Sequence, residues 1–407
     1  MDVETDLYRD LARPGGPPMV LLVVDGLSCL PAEPAGTTPL EAAHTPTLDD
    51  LARHGICGLH EPVGPGVTPG RGAALLALLG YDPLKFVVGR GVLAALGADL
   101  DLRPHDVAIA GRFATVADDL TVQDLSAGHL TLADTEALCA LLAGEIRPDG
   151  VECQVRALGA NQFALLLRGS GLSGDVDDTD PLECGQPVAE PKASSAAGRR
   201  TARLAGQFVA QARQALQGRG TALMPLLSGF SRRPAWPTLE ELYGLRSAAI
   251  TACPLGRGAA RLAGMTPIAV RPGLAALDAL TEEWPQHDLY LVHLTRGQPE
   301  AEGEDETAAR QGLVRWIEQV DAALPRLADL GVEVLAVTGD RSTAEPGRYA
   351  SWHAVPVVLW APTCRTDDVV RFGERACAHG TLGPRFRTAA LLPLLMAHAL
   401  RLDPYGA

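Results

Sequence analysis

The chain has 407 residues, of which 47% are hydrophobic, and carries a formal net charge of -14 at pH 7. This length favours two domains, or one domain with a large insertion, and the apolar fraction is ample for burial. The negative charge argues against a nucleic-acid backbone or an anionic membrane as the main partner.

The N-terminal residues lack the features of an exported or membrane-bound protein. Asp2, Glu4 and Asp6 precede any apolar run, and no stretch approaches the roughly 18 uninterrupted apolar residues of a membrane span. We therefore expect a cytoplasmic protein. Eight cysteines are scattered without a C-x-x-C pair, which favours reduced cysteines over a disulfide or zinc framework.

The first predicted element is a strand from Met19 to Val24, an apolar run that ends at Asp25 and Gly26. Such a run is typical of a buried parallel strand whose carboxyl end delivers a polar residue into a crevice. Helical periodicity follows over residues 45–55.

The middle of the chain, from about residue 114 to 244, differs in character. It combines strand-like stretches with a loop-rich segment from Gly169 to Pro191, a basic segment, and a predicted helix over 201–216. We interpret residues 114–244 as an α+β cap domain inserted into a core domain that is formed by residues 1–113 and 245–407.

The last part of the chain returns to alternating strands and helices. Strands are predicted over 289–294 and 332–337, and helices over 308–324 and 389–400. The second of these strands leads into Thr338-Gly339-Asp340. The fold class is therefore α/β, with a mostly parallel sheet flanked by helices, and such sheets bind ligands at the carboxyl ends of their strands.

Ordered blocks of residues carry a family resemblance from about Pro17 to about Leu395. The blocks are Thr38-Pro-Leu-Glu41, Thr45-Pro46, Gly55-Ile-Cys-Gly58, Gly80-Tyr81-Asp82-Pro83, Gly89-Arg90-Gly91, Thr338-Gly339-Asp340, Val355-Pro356-Val357 and Phe372-Gly-Glu-Arg375. In these blocks the chain resembles the archaeal-type, cofactor-independent (2,3-bisphosphoglycerate-independent) phosphoglycerate mutases of the alkaline phosphatase superfamily. The resemblance implies an alkaline-phosphatase-like core and a cap that closes over the substrate.

The resemblance also implies a site with two divalent metal ions, which neutralise phosphate oxygens and activate a serine nucleophile. One ion is held by a strand-end Asp, the Ser and an Asp-His pair, and the other by an Asp-x-x-x-His and a further His. Three matching positions keep their ligands, namely Asp25, Asp340 and His353. The remaining positions carry Arg71 for the Ser, Arg341 for the His of the pair, and Gln298 and Glu302 for the Asp and His that are four residues apart.

These replacements change the charge of the site. A guanidinium group is permanently positive and has no lone pair for a metal, so Arg71 and Arg341 would repel a cation. We therefore expect no bound metal and a salt-bridge cluster in which the two arginines face Asp25 and Asp340. Alternatively, the arginines point to solvent while the aspartates accept backbone N–H bonds.

A third arrangement would keep a single divalent ion. In that case Asp25, Asp340, Glu302 and His353 would gather around one Mn, Zn or Mg ion, since carboxylate and imidazole are suitable ligands.

Candidates for a surviving nucleophile or substrate contact are few. Thr68 is an alternative nucleophile outside the matching position or a structural loop residue, and Ser28 and Ser342 are expected to cap helices or turns. Arg90 is a candidate for a phosphate contact or a structural residue of its Gly-Arg-Gly turn. Elsewhere the family's substrate-binding cations are replaced, by residues 124–129, Asn161-Gln162 and Ser228-Gly229.

Two functions remain open. The first is a descendant that has lost the nucleophile and most metal ligands: a pseudoenzyme that binds a small phosphorylated or carboxylate ligand, a regulatory protein, or an enzyme with a metal-independent activity. The second is a metal-dependent phosphoglycerate mutase or related phosphotransferase with an unconventional site. Fold by itself does not decide between them.

Overall fold

The computed structural model describes residues 3–218, 222–297, 306–344 and 350–406. The chain divides into two compact units. The first unit combines the residues up to Val87 with those from Pro237 onward, and the second unit is the continuous segment from Val88 to Trp236.

The elements follow one another in three segments. Up to Val87 they are α1 (Val3–Leu11), β1 (Met19–Val24), β2 (Ser28–Cys29), α2 (Pro39–Ala42), α3 (Pro46–His54), β3 (Ile56–Glu61) and α4 (Arg71–Leu78). From Val88 to Trp236 they are α5 (Arg90–Gly97), β4 (Val107–Val116), β5 (Val122–Asp124), α6 (Leu132–Glu145), β6 (Glu152–Gly159), β7 (Gln162–Arg168), α7 (Ala196–Leu216) and β8 (Leu223–Ser231). From Pro237 onward they are α8 (Leu239–Tyr243), β9 (Ser247–Thr251), α9 (Pro254–Leu262), β10 (Thr266–Ala269), α10 (Ala275–Glu283), β11 (Leu289–Leu294), α11 (Glu306–Ala323), α12 (Pro325–Asp329), β12 (Val334–Thr338), β13 (Ser342–Thr343), β14 (Ala350–Ser351), β15 (Val355–Trp360), α13 (Glu374–Cys377), β16 (Gly383–Arg387) and α14 (Leu391–His398).

The first unit is organised around an eight-stranded sheet in the order β10-β9-β11-β1-β12-β15-β3-β16. Strand β1 pairs in parallel with β11 on one side and β12 on the other, and all six of its residues are buried. Strand β15 runs antiparallel to both of its neighbours, so the sheet is mixed but mostly parallel. A small separate sheet joins β14, β13 and β2.

Backbone N–H groups at the helix starts of the first unit are capped in two ways, by residues next to the helix or by a residue distant in sequence. Helix α2 has a capping box, in which Thr38 and Glu41 accept from each other's backbone N–H. Thr45 provides no such bond at the start of α3. There the buried carboxylate of Asp321 accepts from Leu48 N at 2.7 Å, so α11 supplies the cap.

The second unit is an antiparallel sheet in which β4 pairs with β5, β7 and β8, and β6 pairs with β7. Its core contains the rings of Phe113, Phe163 and Phe208, with centroids 4.8 and 6.3 Å apart in succession. Phe208 lies on α7, which contributes the apolar face of an amphipathic helix.

Several predicted elements coincide with the structure. The strands over 19–24 and 289–294 have the predicted bounds, whereas the strand expected over 332–337 is β12 at Val334–Thr338. The helix expected over 201–216 begins earlier, at Ala196, because Ser195 caps it. None of the helices in the described ranges is long and apolar enough to cross a bilayer. All eight cysteines are free thiols.

The unit boundaries differ from the expected limits of 114 and 244. A boundary at 114 would cut β4, which runs unbroken from Val107 to Val116 and hydrogen-bonds to β7 and β8 over this length. Strand pairing therefore places the start of β4, and α5 that packs on it, in the second unit.

Packing of α5 on β4 leads to a stability prediction. A Cβ atom at Gly91 would lie 2.2 Å from the backbone oxygen of Ala108 and 2.6 Å from that of Gly229, and backbone atoms cannot easily move away. We expect Gly91→Ala to lower the free energy of unfolding by about 1–3 kcal/mol. Urea titration followed by circular dichroism would measure the change.

The matched control is Gly144→Ala, near the end of α6, where a new Cβ meets no atom within 4 Å. This change should leave stability unaltered or raise it by up to about 1 kcal/mol, because alanine is the better helix former. Equal effects of the two substitutions would contradict the packing argument.

Candidate functional site

Two aspartates meet at the carboxyl edge of the first unit's sheet. Asp25 follows β1 directly, and Asp340 follows β12 after Gly339. Because Val23 is in register with Thr338 on the neighbouring strand, the parallel pairing brings the two strand ends to the same level. The Asp340 side chain is 1% exposed and that of Asp25 is 26% exposed.

The backbone of Asp25 is fixed from two directions. Its N–H donates to the oxygen of Leu294 at 2.9 Å, and the indole Nε1 of Trp316 on α11 donates to its carbonyl oxygen at 3.0 Å. The next residue, Gly26, has φ +77°, and a Cβ there would lie 2.7 Å from Leu313 Cδ1. This turn requires glycine, which explains why the strand ends in Asp-Gly.

Arg71 is the first residue of α4 and forms a fork with Asp25. Its Nη1 lies 3.4 Å from Asp25 Oδ2 and its Nη2 lies 3.3 Å from Oδ1. A positive charge at a helix N-terminus is unfavourable, and the helix start has no side-chain cap. The carboxylate of Asp25 offsets both the guanidinium charge and the positive end of the helix.

Arg341 lies beside Asp340, with Nη1 3.5 Å from Oδ2. The contact is an ion pair without hydrogen-bond geometry, and within the described ranges Asp340 Oδ2 has no hydrogen-bond partner. Asp25, Arg71, Asp340 and Arg341 are called the aspartate–arginine cluster below. The structure thus brings together four of the residues singled out in the sequence.

The sequence analysis missed His293, which belongs to the same site. His293 lies on β11 in register with Val23, and its side chain is buried. Nδ1 lies 3.1 Å from Thr251 Oγ1, whereas Nε2 is buried and has no hydrogen-bond partner in the part of the chain that the structure describes. One signal was available: a single imidazole stands in an otherwise apolar strand, one residue before the strand ends.

The charges of the cluster shift the pKa values of its members. Burial alone would raise the pKa of Asp25, but Arg71, His293 and Arg341 together hold it below its usual range. Burial opposes the positive form of Arg71, yet the two aspartates raise its pKa above the usual value. Burial is also the main cause of the lowered pKa of His293. Both members of the Asp25–Arg71 pair are thus charged at neutral pH.

A buried histidine supports the end of β12. His60 Nε2 lies 2.7 Å from Thr338 Oγ1, and His60 Nδ1 lies 2.6 Å from Thr388 Oγ1. Because Thr338 Oγ1 donates to Pro356 O at 2.8 Å, it must accept from Nε2–H, which assigns the tautomer of the imidazole. Burial lowers the pKa of His60 to about 3, so the ring is neutral.

His353, the third retained ligand position, has other contacts. Its Nδ1 lies 2.6 Å from Ser351 Oγ, and its ring stacks on that of Trp352 at 4.1 Å. Burial and the nearby Arg385 cation lower its pKa. These contacts link His353 to its own loop, and none of them is to an aspartate of the cluster.

The remaining predicted positions lie elsewhere. Thr68 is exposed on the loop before α4, and Arg90 is the exposed first residue of α5 in the second unit. Ser28 and Ser342 cap no helix, because they pair with each other in strands β2 and β13. Gln298 and Glu302 lie outside the described residues.

Arg71 occupies the position next to Asp25 that the resemblance assigns to the serine nucleophile. The guanidinium of Arg71 contacts both carboxylate oxygens of Asp25. Across residues 3–218, 222–297, 306–344 and 350–406, no group of three or more His, Cys, Asp or Glu side chains is arranged to hold a metal ion.

Solved structures identify the class of fold. A Pyrococcus horikoshii protein is 25% identical with a TM-score of 0.79, covering 96% of this chain and 100% of its own. The cofactor-independent phosphoglycerate mutase from Thermoplasma acidophilum is 28% identical with a TM-score of 0.67, covering 94% and 100%. The expected alkaline-phosphatase-like α/β fold is confirmed.

Sequence comparison identifies the family within this class. A family model described as 2,3-bisphosphoglycerate-independent phosphoglycerate mutase matches residues 52–220. A Thermus thermophilus protein named "Probable 2,3-bisphosphoglycerate-independent phosphoglycerate mutase" is 41% identical over 98% of this chain and 99% of its own. A protein of the same name from Deinococcus radiodurans is 37% identical over 99% of both chains. The chain belongs to the 2,3-bisphosphoglycerate-independent phosphoglycerate mutase family.

The burial of Asp340 predicts a large effect of removing its neighbouring cation. Arg341→Ala removes the adjacent cation from this buried carboxylate and should lower the free energy of unfolding by about 3–5 kcal/mol. The control is Arg326→Ala, which removes an ion pair with Asp278 whose side chains are 41% and 67% exposed. That change should cost under about 1 kcal/mol in the same denaturant titration, and equal losses would contradict the role given to Arg341.

The lowered pKa of Asp25 predicts how stability depends on pH. An acid whose pKa is lower in the folded state contributes stability above its unfolded pKa, about 3.8, and loses that contribution as pH falls through the folded value. We expect the stability difference between the natural protein and Asp25→Asn to be constant from pH 7 to 5 and to shrink below about pH 4. Urea titrations across this range would measure it. A difference that grows in acid would mean that the sign is wrong.

Proposed function

We propose that this member of the family does not carry out the metal-dependent mutase reaction, and that the aspartate–arginine cluster replaces the metal ions in a crevice that binds a small anion. The observation that carries the proposal is the fork between Arg71 and Asp25. This contact supports the proposal because Arg71, a cation, matches the position of the family's serine nucleophile.

Charge balance supports a metal-free site. Two guanidinium groups and two carboxylates leave the cluster neutral without any ion. A divalent cation added at Asp25 would face the positive charge of Arg71 at close range, where partial burial strengthens repulsion. Because a guanidinium offers no lone pair, it cannot join the coordination shell of that ion.

The expected ligand is a small phosphorylated or carboxylate molecule. Each guanidinium has five N–H donors in a planar fork that suits such anions, and the contacts with Asp25 leave donors of Arg71 unused. Arg71 and Arg341 remain 24% and 16% exposed, so a ligand has limited access to both. Without a nucleophile, the protein would act as a binding or regulatory protein, or through a metal-independent activity.

A second candidate is favoured by two atoms of the site. Asp340 Oδ2 and His293 Nε2 are buried and lack hydrogen-bond partners in the described ranges. Carboxylate and imidazole are legitimate ligands of Mn, Zn or Mg, so these atoms could help to hold a single ion in an unconventional phosphotransferase site. This candidate requires both Asp340 and His293 for ion binding.

The discriminating measurement is metal content. The protein purified without chelator should contain well below one Mn or Zn ion per chain by plasma emission analysis, and added Mn should bind more tightly to the double variant Arg71→Ser with Arg341→His. In the same preparation, added Mn should produce no detectable interconversion of 3- and 2-phosphoglycerate.

Two outcomes would contradict the proposal. A mutase rate within about a thousandfold of a typical turnover of ~10 per second would show an active enzyme. One bound ion per chain that is lost in both Asp340→Asn and His293→Gln would establish the second candidate, whereas an ion retained in both variants would place the metal elsewhere.

A further inference from the structure

The second unit contains a cavity rich in arginine that has no role in the proposed function. Its volume is about 520 Å³, and it is called the arginine cavity below. It is lined by Arg103, His105, Asp106, Arg168, Gly169, Ser170, Gly171, Leu172 and Arg232.

The arginine cavity lies apart from the residues that match the family's substrate-binding cations. It lies where Val107 of β4 pairs with Leu167 of β7. Asn161 and Gln162, which stand where the resemblance places substrate cations, lie at the opposite end of the same strand pair, where Arg112 pairs with Gln162. The cavity is therefore a different site from the one that the family resemblance implies.

One arginine of the cavity is fully engaged with the single lining carboxylate. Arg168 Nη2 lies 2.8 Å from Asp106 Oδ2, its Nε lies 3.0 Å from Oδ1, and the backbone N–H of Arg103 also donates to this carboxylate. The exposed carboxylates of Asp101 and Glu152 also lie within 4 Å of Arg168, and Asp101 pairs with Arg103 at 3.4 Å. Asp106 and Arg168 thus form a closed pair that shapes the cavity wall.

Arg232 has only neutral partners among its described contacts. Its Nε and Nη2 lie 3.3 and 3.1 Å from Pro104 O, and Nη2 lies 2.7 Å from His105 Nδ1. A guanidinium group only donates, so Nδ1 must accept, and the proton of the neutral imidazole is on Nε2. Arg232 therefore brings an uncompensated positive charge, and His105 brings a further N–H donor.

Part of the cavity wall is a loop of small residues. Gly169, Ser170 and Gly171 have little or no side chain, and Gly171 has φ +68°, so backbone N–H groups can approach a bound oxyanion closely. Arg200 Nη1 would lie 3.8 Å from a Cβ at Gly171, so another guanidinium is close to this loop.

We propose that the arginine cavity binds a phosphate group, either as free phosphate or in a small phosphate monoester. Among the three lining guanidinium groups, Arg103 pairs with the exposed Asp101 at 3.4 Å and Arg168 pairs with Asp106, which leaves Arg232 as the uncompensated cation. This cation would attract the roughly -1.5 to -2 charge of a phosphate monoester. Cavities of about 300–1,000 Å³ suit small organic ligands, so the volume favours an ester over the bare ion. This site stands independently of the function proposed for the aspartate–arginine cluster.

Isothermal titration of the full chain with inorganic phosphate, glycerol 3-phosphate and malonate would test the proposal. We expect glycerol 3-phosphate to bind more tightly than phosphate. Arg232→Gln should weaken both at least about tenfold, because it removes the unpaired cation and keeps an amide donor. Arg233→Gln is the matched control: it removes the same charge from the adjacent residue, which does not line the cavity, and should change affinity by less than about twofold.

Four results would overturn the proposal. The natural protein could fail to bind either phosphate compound at about 10 mM, where a specific site would be well populated. Equal weakening in the two variants would indicate general attraction to positive charge, and malonate binding as tight as glycerol 3-phosphate would indicate a carboxylate site. Loss of phosphate binding in Arg71→Ala would place the ligand at the aspartate–arginine cluster. Circular dichroism of each variant would confirm that it is folded.

Discussion

The site depends on one electrostatic constraint. Parallel strands that end at the same edge of a sheet place Asp25 and Asp340 side by side, and Asp340 is almost fully buried. Two neighbouring carboxylates with restricted access to water are stable in their charged form only if positive charge lies close by. In this chain Arg71 and Arg341 supply that charge.

The scaffold around the aspartates does not depend on which cation neutralises them. Trp316 holds the carbonyl group of Asp25, and the network from Thr388 through His60 to Thr338 holds the end of β12. These contacts involve neutral groups in the interior of the unit. A site can therefore change its charged residues while the strand ends keep their positions, which is how one family fold can support different functions.

The sequence predicted the features that depend on strong local patterns. Strand β1 was located correctly because an apolar run of strand length stops at Asp-Gly, and the order of the motif blocks was enough to identify the family. The expected start of the second unit, at residue 114, follows a change in composition. The structure differs there because strand β4 and its pairing with neighbouring strands continue through residue 114. His293 was missed because an apolar strand pattern gives no information about which neighbouring residue a side chain faces. The charge count of the sequence suggested that arginine pairs with aspartate. The distance of 3.3 Å between Arg71 Nη2 and Asp25 Oδ1, however, follows only from the packing of α4.

The insertion of the second unit has a consequence for the order of folding during synthesis. Strand β1 lies between β11 and β12, and both of these partners are translated after the whole second unit. The apolar residues of β1 therefore remain without strand partners on the ribosome while the second unit, which is one continuous segment, can already fold. Late closure of such a long loop slows folding and leaves a hydrophobic strand exposed, so nascent chains of this protein should depend on chaperones more than its final stability would indicate.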